Sequence, residues 1–290
     1  MTFSEFVRGG DRRTSAILLI PAIGLALLIV WGLQDLAVRL MRMLRLDQKL
    51  SLAWQSGLVT VVLFGALIGA ACLWGVLAKE PVLRPGRSPL KAGGMGLAMG
   101  LAGLLTATGY AALAGSLHWT VIYSNPPFLL ILTGSLLTLF QCAGEEIYFR
   151  GWVQSMLVRG WGPWPGLVVT SLLFAGLHVF AGVRAPLSMV NVFLAGLLFG
   201  LLAIRTGGLA APIAAHFAWD WAEGILLGLY PNPGVDVWSS FWNMDLIGSP
   251  LWGGSAEGMN GSLGVTFVLL ALCTPLAWGL IRPAPEPVAA

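Results

Sequence analysis

Apolar residues run along this chain in long blocks, with the charged residues gathered between them. Asp, Glu, Lys and Arg are absent from 14–34, 50–78, 92–144, 160–183, 185–204 and 258–281. A helix needs about 20 mostly apolar residues to cross the hydrocarbon core of a bilayer, so each block holds at least one span. The block at 92–144 is too long for one helix and is broken at His118 and at Asn125-Pro126-Pro127. The pattern predicts eight helices, at about 14–34, 52–78, 92–116, 127–157, 164–181, 187–204, 209–229 and 263–281. The fold expected is all-α, a polytopic membrane helix bundle of about eight transmembrane helices. It divides into an N-terminal part (1–126, three helices and a basic segment), a central core (127–229) and a C-terminal part (230–290, a Trp-rich loop and the last helix).

Composition agrees. The chain of 290 residues has 57% hydrophobic and 10% charged residues, against roughly 25% charged in a soluble domain, and a mean hydropathy of +0.82. A water-soluble fold needs more polar surface, and disorder goes with low hydrophobicity and high net charge. Cys72, Cys142 and Cys273 stand far apart in apolar runs, where thiols act as small core hydrophobes rather than as a disulfide framework. The lipid bilayer is the expected partner, and no nucleic acid. Arg8, Arg12 and Arg13 precede the first block as in a signal peptide. Its apolar run of ~20 residues nonetheless exceeds an h-region of about 7–15, and no small-residue cleavage site closes it. It reads as a retained helix.

The bias of Lys and Arg sets orientation. With a cytoplasmic N-terminus, that side holds Arg8, Arg12, Arg13, Lys79, Arg84, Arg87, Lys91, Arg159, Arg205 and Arg282. The other side holds the smaller set Arg39, Arg42, Arg45, Lys49 and Arg184. Both termini are expected inside. Segment 35–50 reads as a basic amphipathic interfacial helix. Asp236, Asp245 and Glu257 place the 230–262 loop outside, with Trp238, Trp242 and Trp252 as an interfacial belt or a lid. Gly96-x-x-x-Gly100 and Gly196-x-x-x-Gly200 permit close helix contact.

Glu145, Glu146, Arg150, Asp220 and Glu223 fall inside predicted spans, as do His178 and His216. A charge at mid-bilayer costs about 2.5–3.5 kcal/mol on insertion scales, so several on few helices mark a buried polar site. Glu146 and Arg150, and His216 and Asp220, are four apart and share a helix face. Glu223 continues the second stripe. Glu145 is rotated about 100° from Glu146 and escapes Arg150. At ~1.5 Å per residue, Glu145, His178 and Asp220 reach a common layer ~16–21 Å deep, with His216 at ~10 Å. Two chemistries suit Glu145, His178, His216 and Asp220. A carboxylate out of bulk water can serve as a general base, with a histidine to orient the water and another to meet an oxyanion. Alternatively, the four side chains are ordinary zinc ligands. No cofactor is required by the pattern, and zinc stays open. His118 reads as solvated or interfacial, and Asn191 as an interhelical hydrogen bond.

The residues Glu145-Glu146-Ile147-Tyr148-Phe149-Arg150 (E-E-x-x-x-R), Phe174 to His178 (F-x-x-x-H) and His216 to Asp220 (H-x-x-x-D) stand in order on three hydrophobic helices. With Gly151-Trp152, and with Gly196 to Leu209 followed by Ala211-Pro212, they make residues 128–229 resemble the CPBP family of intramembrane proteases, also called the CAAX-protease or Abi family. The resemblance implies an eight-helix bundle, a catalytic core at 127–229 and glutamate-type proteolysis. Glu145 would activate water with His178 as its partner, His216 and Asp220 would form the oxyanion side, and Glu146 and Arg150 would support them. Asp220 stands where the family takes Asn or Asp. An ionised Asp only accepts hydrogen bonds, so it must be protonated, orient His216 or bind a metal.

The function expected is an intramembrane endopeptidase acting on a membrane-anchored or lipidated protein or peptide. The alternative is a non-catalytic membrane immunity or binding protein, or a proton-coupled transporter. The transporter is disfavoured because the buried polar residues all follow residue 144. The end Pro-Glu-Pro-Val-Ala-Ala is not a K-D-E-L signal, and the location expected is a bacterial inner membrane.

Overall fold

A computed structural model describes residues 3–122, 127–180, 182–231 and 237–281. Among these residues the apolar segments form eight main helices: α1 (Arg12–Met43), α2 (Leu52–Ala78), α3 (Pro89–Leu113), α4 (Phe128–Trp161), α5 (Pro163–Phe180), α6 (Pro186–Thr206), α7 (Ala210–Trp221, prolonged by a wider π-type stretch at Ala222–Leu227) and α8 (Leu263–Ile281). The first six are long and apolar enough to cross a membrane, and α8 carries a shorter apolar stretch, Leu263–Trp278. The fold is a polytopic, nearly all-α bundle, as the hydrophobic pattern predicts. The break at Asn125-Pro126 lies outside the described residues, as do Asp236 and Arg282.

Local chemistry sets the helix ends. Asp11 caps α1 by accepting from the Thr14 amide at 2.9 Å, satisfying an otherwise unpaired amide of the first turn. Prolines open α3 and α6, where their missing N–H costs nothing. Gly207, at φ +73°, ends α6 in the left-handed conformation that glycine adopts without steric penalty. Large apolar side chains such as Ile20, Leu28, Trp31, Leu73, Val76 and Leu113 face outward. In water these would be a liability; against acyl chains they are the solvated face.

Two departures from expectation concern the ends of the bundle. Segment 35–50 does not begin a separate helix: α1 runs unbroken through a π-type turn at Leu28–Leu33 to Met43. At ~1.5 Å per residue its 32 residues exceed a ~30 Å hydrocarbon core, so the basic turns project beyond the span. A small sheet also forms, β1 (Leu117–Ile122), β2 (Leu229–Tyr230) and β3 (Trp242–Leu246), in the order β1-β3-β2. β1 and β3 pair antiparallel with Leu117 opposite Leu246 and His118 opposite Asp245, while β2 pairs parallel. His118 and Trp242 are therefore strand residues that tie the α3 exit to the loop after α7.

The buried apolar residues form two clusters. One joins α3, α6, α7 and α8 around Leu104, Leu198, Leu202 and Trp219. The other joins α1, α2, α4 and α5 around Leu67, Tyr148, Met156 and Phe174. Both glycine pairs mark packing seams. A Cβ on Gly96 or Gly100 would collide with the backbone of Ala211 or Ala215 on α7, and one on Gly196 or Gly200 would crowd Ser171 and Leu167 on α5. Removing those side chains brings α7 onto α3 and α6 onto α5 closely enough to fix their relative registers.

Candidate active site

Glu145 and Glu146 end the regular turns of α4, and the following Ile147–Gln154 adopts a wider π-type winding in which every residue is buried. Such windings often accompany functional sites because they redirect side chains. Glu146 and Arg150 meet at 2.9 Å with neither side chain exposed. The guanidinium also donates to the Gly196 carbonyl at 3.0 Å and lies over the rings of Phe174 (4.5 Å) and Phe199 (5.4 Å). A buried charge survives only when it is paired and hydrogen-bonded. Here the partners come from a carboxylate, a glycine seam that exposes its carbonyl, and two aromatic faces. Gln154 repeats the device one turn on, donating to the Gly200 carbonyl at 3.0 Å.

Glu146 has a second task that its spacing does not announce. Its Oε1 accepts from Nδ1 of His216 at 3.0 Å, across 70 residues of sequence. The Phe199 ring stacks on the imidazole, with centroids 4.5 Å apart. Thus oriented, His216 turns Nε2 toward Oδ2 of Asp220 at 3.5 Å and Oε2 of Glu145 at 4.0 Å. Glu145 is buried, and its Oε2 has no hydrogen-bond partner among the described residues.

His178 approaches from α5. Its Nδ1 donates to the Phe174 carbonyl at 2.7 Å. A carbonyl only accepts, so the neutral ring carries its proton on Nδ1 and keeps a lone pair on Nε2. Glu145, His178, His216, Asp220 and Glu223 all line one cavity of about 410 Å³ between the two apolar clusters. Its other walls include Val30, Phe64, Leu177 and Leu269. The sequence-derived site residues therefore converge: Glu146, Arg150, His216, Asp220 and Glu145 as one chain of contacts, and His178 on the cavity wall.

Asn191 also borders the cavity, but its amide is committed. It donates to the carbonyls of Asn260 and Ser262 at 2.8 and 2.9 Å and accepts from Thr266 at 2.7 Å. It is the interhelical clamp expected, joining α6 to the start of α8. Trp238 is not confined to an interfacial belt: it forms part of the cavity wall, seated where Gly57 of α2 and Gly134 of α4 leave room. No local pattern signals this, because two isolated glycines facing one distant tryptophan form no motif. Cys142, expected as a core hydrophobe, is fully buried but lies beside the site, its Sγ donating to Asp220 Oδ2 at 3.6 Å.

Of the four side chains considered as zinc ligands, His216 and Asp220 stand together and Cys142 joins them, with donor atoms all within 4.8 Å of one another. This donor set fits a soft divalent cation. The fit is not to the quartet expected from the sequence, because the trio contains Cys142 and omits both Glu145 and His178.

Residues 126–222 match the family model described as type II CAAX prenyl endopeptidase Rce1-like. Over that segment the resemblance read from the three motifs is borne out. Among curated proteins, an uncharacterized 24.3 kDa protein of Escherichia coli is 36% identical over 99 residues, which are 33% of this chain and 42% of the relative. The match thus spans less than half of either protein. No solved structure matches.

Proposed function

We propose that this membrane bundle, whose residues 126–222 carry the Rce1-like pattern, is an intramembrane endopeptidase. One observation carries the reading: a buried glutamate, Glu145, has an unpartnered oxygen beside His216, in a cavity that His178 also lines. That is the arrangement peptide hydrolysis needs, a base out of bulk water next to groups that bind a reacting carbonyl.

The roles follow from the contacts. Water held by Glu145 and the free Nε2 of His178 loses a proton to Glu145 as its oxygen attacks the scissile carbonyl carbon. The carbonyl oxygen becomes an oxyanion facing His216. To donate there from Nε2 while donating from Nδ1 to Glu146, His216 acts as the imidazolium, and Asp220 stands beside it as the counter-charge. This resolves Asp at a position where a donor is expected: it serves by holding His216. Collapse of the tetrahedral species breaks the C–N bond, and Glu145 returns its proton to the leaving amine. Glu146 and Arg150 are positioning residues, acting through His216.

The substrate class proposed is a membrane-anchored or lipidated protein or peptide. Part of the cavity wall is apolar, so an acyl or prenyl chain or an apolar peptide segment would lie against Val30, Phe64, Leu177 and Leu269, while Ser56, Thr60, Thr138 and Gln141 offer hydrogen bonds to a peptide backbone. The location proposed is the bacterial inner membrane, with both termini cytoplasmic. In support, the structure gathers Arg8, Arg84 and Arg159 around Glu80 at one rim.

The test compares membrane proteomes of cells carrying the wild type and Glu145→Ala, and then assays the purified proteins on the peptides that remain uncut. Loss of cleavage in Glu145→Ala and in His178→Ala, with both variants folded, is expected. Full activity in Glu145→Ala would overturn the mechanism. Proton-linked flux indifferent to loss of His178 would favour a transporter instead.

A further inference from the structure

We propose that Cys142, His216 and Asp220 form a binding site for a soft divalent cation, zinc(II) above all, and that filling it inhibits the cavity's hydrolytic chemistry. The binding half stands on the donor atoms alone; the inhibitory half rests on the protease reading above.

Zinc takes sulfur at about 2.3 Å and nitrogen or carboxylate oxygen at about 2.0–2.2 Å in a tetrahedron, which places the donors about 3.3–3.7 Å apart. The two separations around Asp220 Oδ2 fall in this window: 3.5 Å to His216 Nε2 and 3.6 Å to Cys142 Sγ. All three donors lie within 4.8 Å of one another, so modest side-chain movement completes the face. Metal-bound histidines usually donate their other ring N–H to a carboxylate, which fixes the ring. His216 already does so, with Nδ1 on Glu146 at 3.0 Å and Glu146 held in turn by Arg150 at 2.9 Å. The fourth position faces Glu145, whose buried Oε2 has no hydrogen-bond partner among the described residues and lies 4.0 Å from His216 Nε2. It can ligate the ion or accept from a water bound to it.

Binding requires the Cys142 thiolate. The S–H bond of Cys142 and the Nε2–H bond of the His216 imidazolium break, both protons leave through the cavity to bulk water, and the freed sulfur and Nε2 lone pairs form the S–Zn and N–Zn bonds. No oxidant or reductant is involved. Once Nε2 of His216 and Asp220 are ligated, neither can serve an oxyanion, and Glu145 faces the ion rather than a free water. Cys142 belongs to none of the three motifs, so this is a property of this chain's own sequence.

The test uses the full chain in detergent, stripped with a chelator. Equilibrium dialysis with zinc should load about one equivalent per chain. Cobalt(II) should give a near-ultraviolet thiolate-to-cobalt charge-transfer band that zinc discharges. Cys142→Ala and the milder Cys142→Ser should both lose the band, whereas a chain with Cys72 and Cys273 both replaced by Ala should keep it. A wild type without the band, or a band that survives in folded Cys142→Ser, overturns the site. In the cleavage assay, zinc should inhibit the wild type and a chelator should reverse it. In Cys142→Ser, the zinc concentration that halves activity should rise by about tenfold or more. Cleavage that requires added zinc overturns the inhibitory role. A cobalt band in a chain with no hydrolytic activity supports the site and overturns the protease reading instead.

Discussion

Two clusters of arginine and glutamate stand at different depths of the same bundle. At the rim, Glu80 has Arg8, Arg84 and Arg159 around it at 3.7–3.8 Å, with side chains 17–49% exposed. In the interior, Glu146 has Arg150 at 2.9 Å and His216 at 3.0 Å, and the Glu146 and Arg150 side chains are fully covered. The residue types are the same and the physics is not. Water and ions at the rim solvate each charge separately, so the ion pairs are loose and each contributes little. The rim charges act collectively, through topology. In the interior the Glu146 and Arg150 side chains have no exposed surface for water to solvate, so the pair is held by a short bond, and Glu146 passes that constraint on to His216.

Breaking this contrast has a graded set of consequences. The largest falls on Glu145, the group left open for chemistry. Glu145→Gln keeps the volume and removes the base, and its turnover should fall by about 10²–10⁴ in a purified-peptide assay while the unfolding transition stays in place. Arg150→Ala comes next. It strands Glu146 in the interior, and unfolding in detergent should show a loss of about 3–5 kcal/mol. Replacing both partners, as Glu146→Leu with Arg150→Met, should recover much of that stability but not cleavage, since His216 loses its orienting bond. Gly100→Leu tests the seam that brings α7 onto α3. Overpacking there should cost about 1–3 kcal/mol, with a matching drop in activity as His216 shifts. The smallest effect belongs to the rim: Arg84→Ala should change stability by less than about 1 kcal/mol. An Arg84→Ala loss as large as that of Arg150→Ala would erase the distinction between the two clusters.

Much of this was legible before the structure. The apolar segments marked the helices because hydropathy is a local property, and every long helix but the first ends near the bounds expected. The pairing of Glu146 with Arg150, and the freedom of Glu145 from it, followed from the angular step of a helix. The glycine pairs at 96/100 and 196/200 did lie on helix seams. Other features were not legible, for nameable reasons. The small sheet depends on β2, two residues long, and on pairing between segments more than 100 residues apart, for which no local pattern exists. α1 continues to Met43 because hydrogen bonding carries on past Gln34, where the uncharged block ends, a continuation that hydropathy does not mark. Trp238 entered the cavity wall, and Cys142 the vicinity of Asp220, because of what other helices left vacant or brought near.

By itself the amino-acid order determined that this chain lives in a bilayer, where its helices run, and which few charged side chains had to find partners inside. Only the tertiary structure decided that Glu146 bridges Arg150 to His216, that Glu145 is left with an unpartnered oxygen facing a cavity, and that a cysteine stands beside His216 and Asp220. The division has a physical cause. Transfer energy and helical periodicity act over a few neighbouring residues, whereas the register of one helix against another is set by shape at their contact, where a missing Cβ at Gly96 or Gly196 counts for more than any charge nearby in sequence.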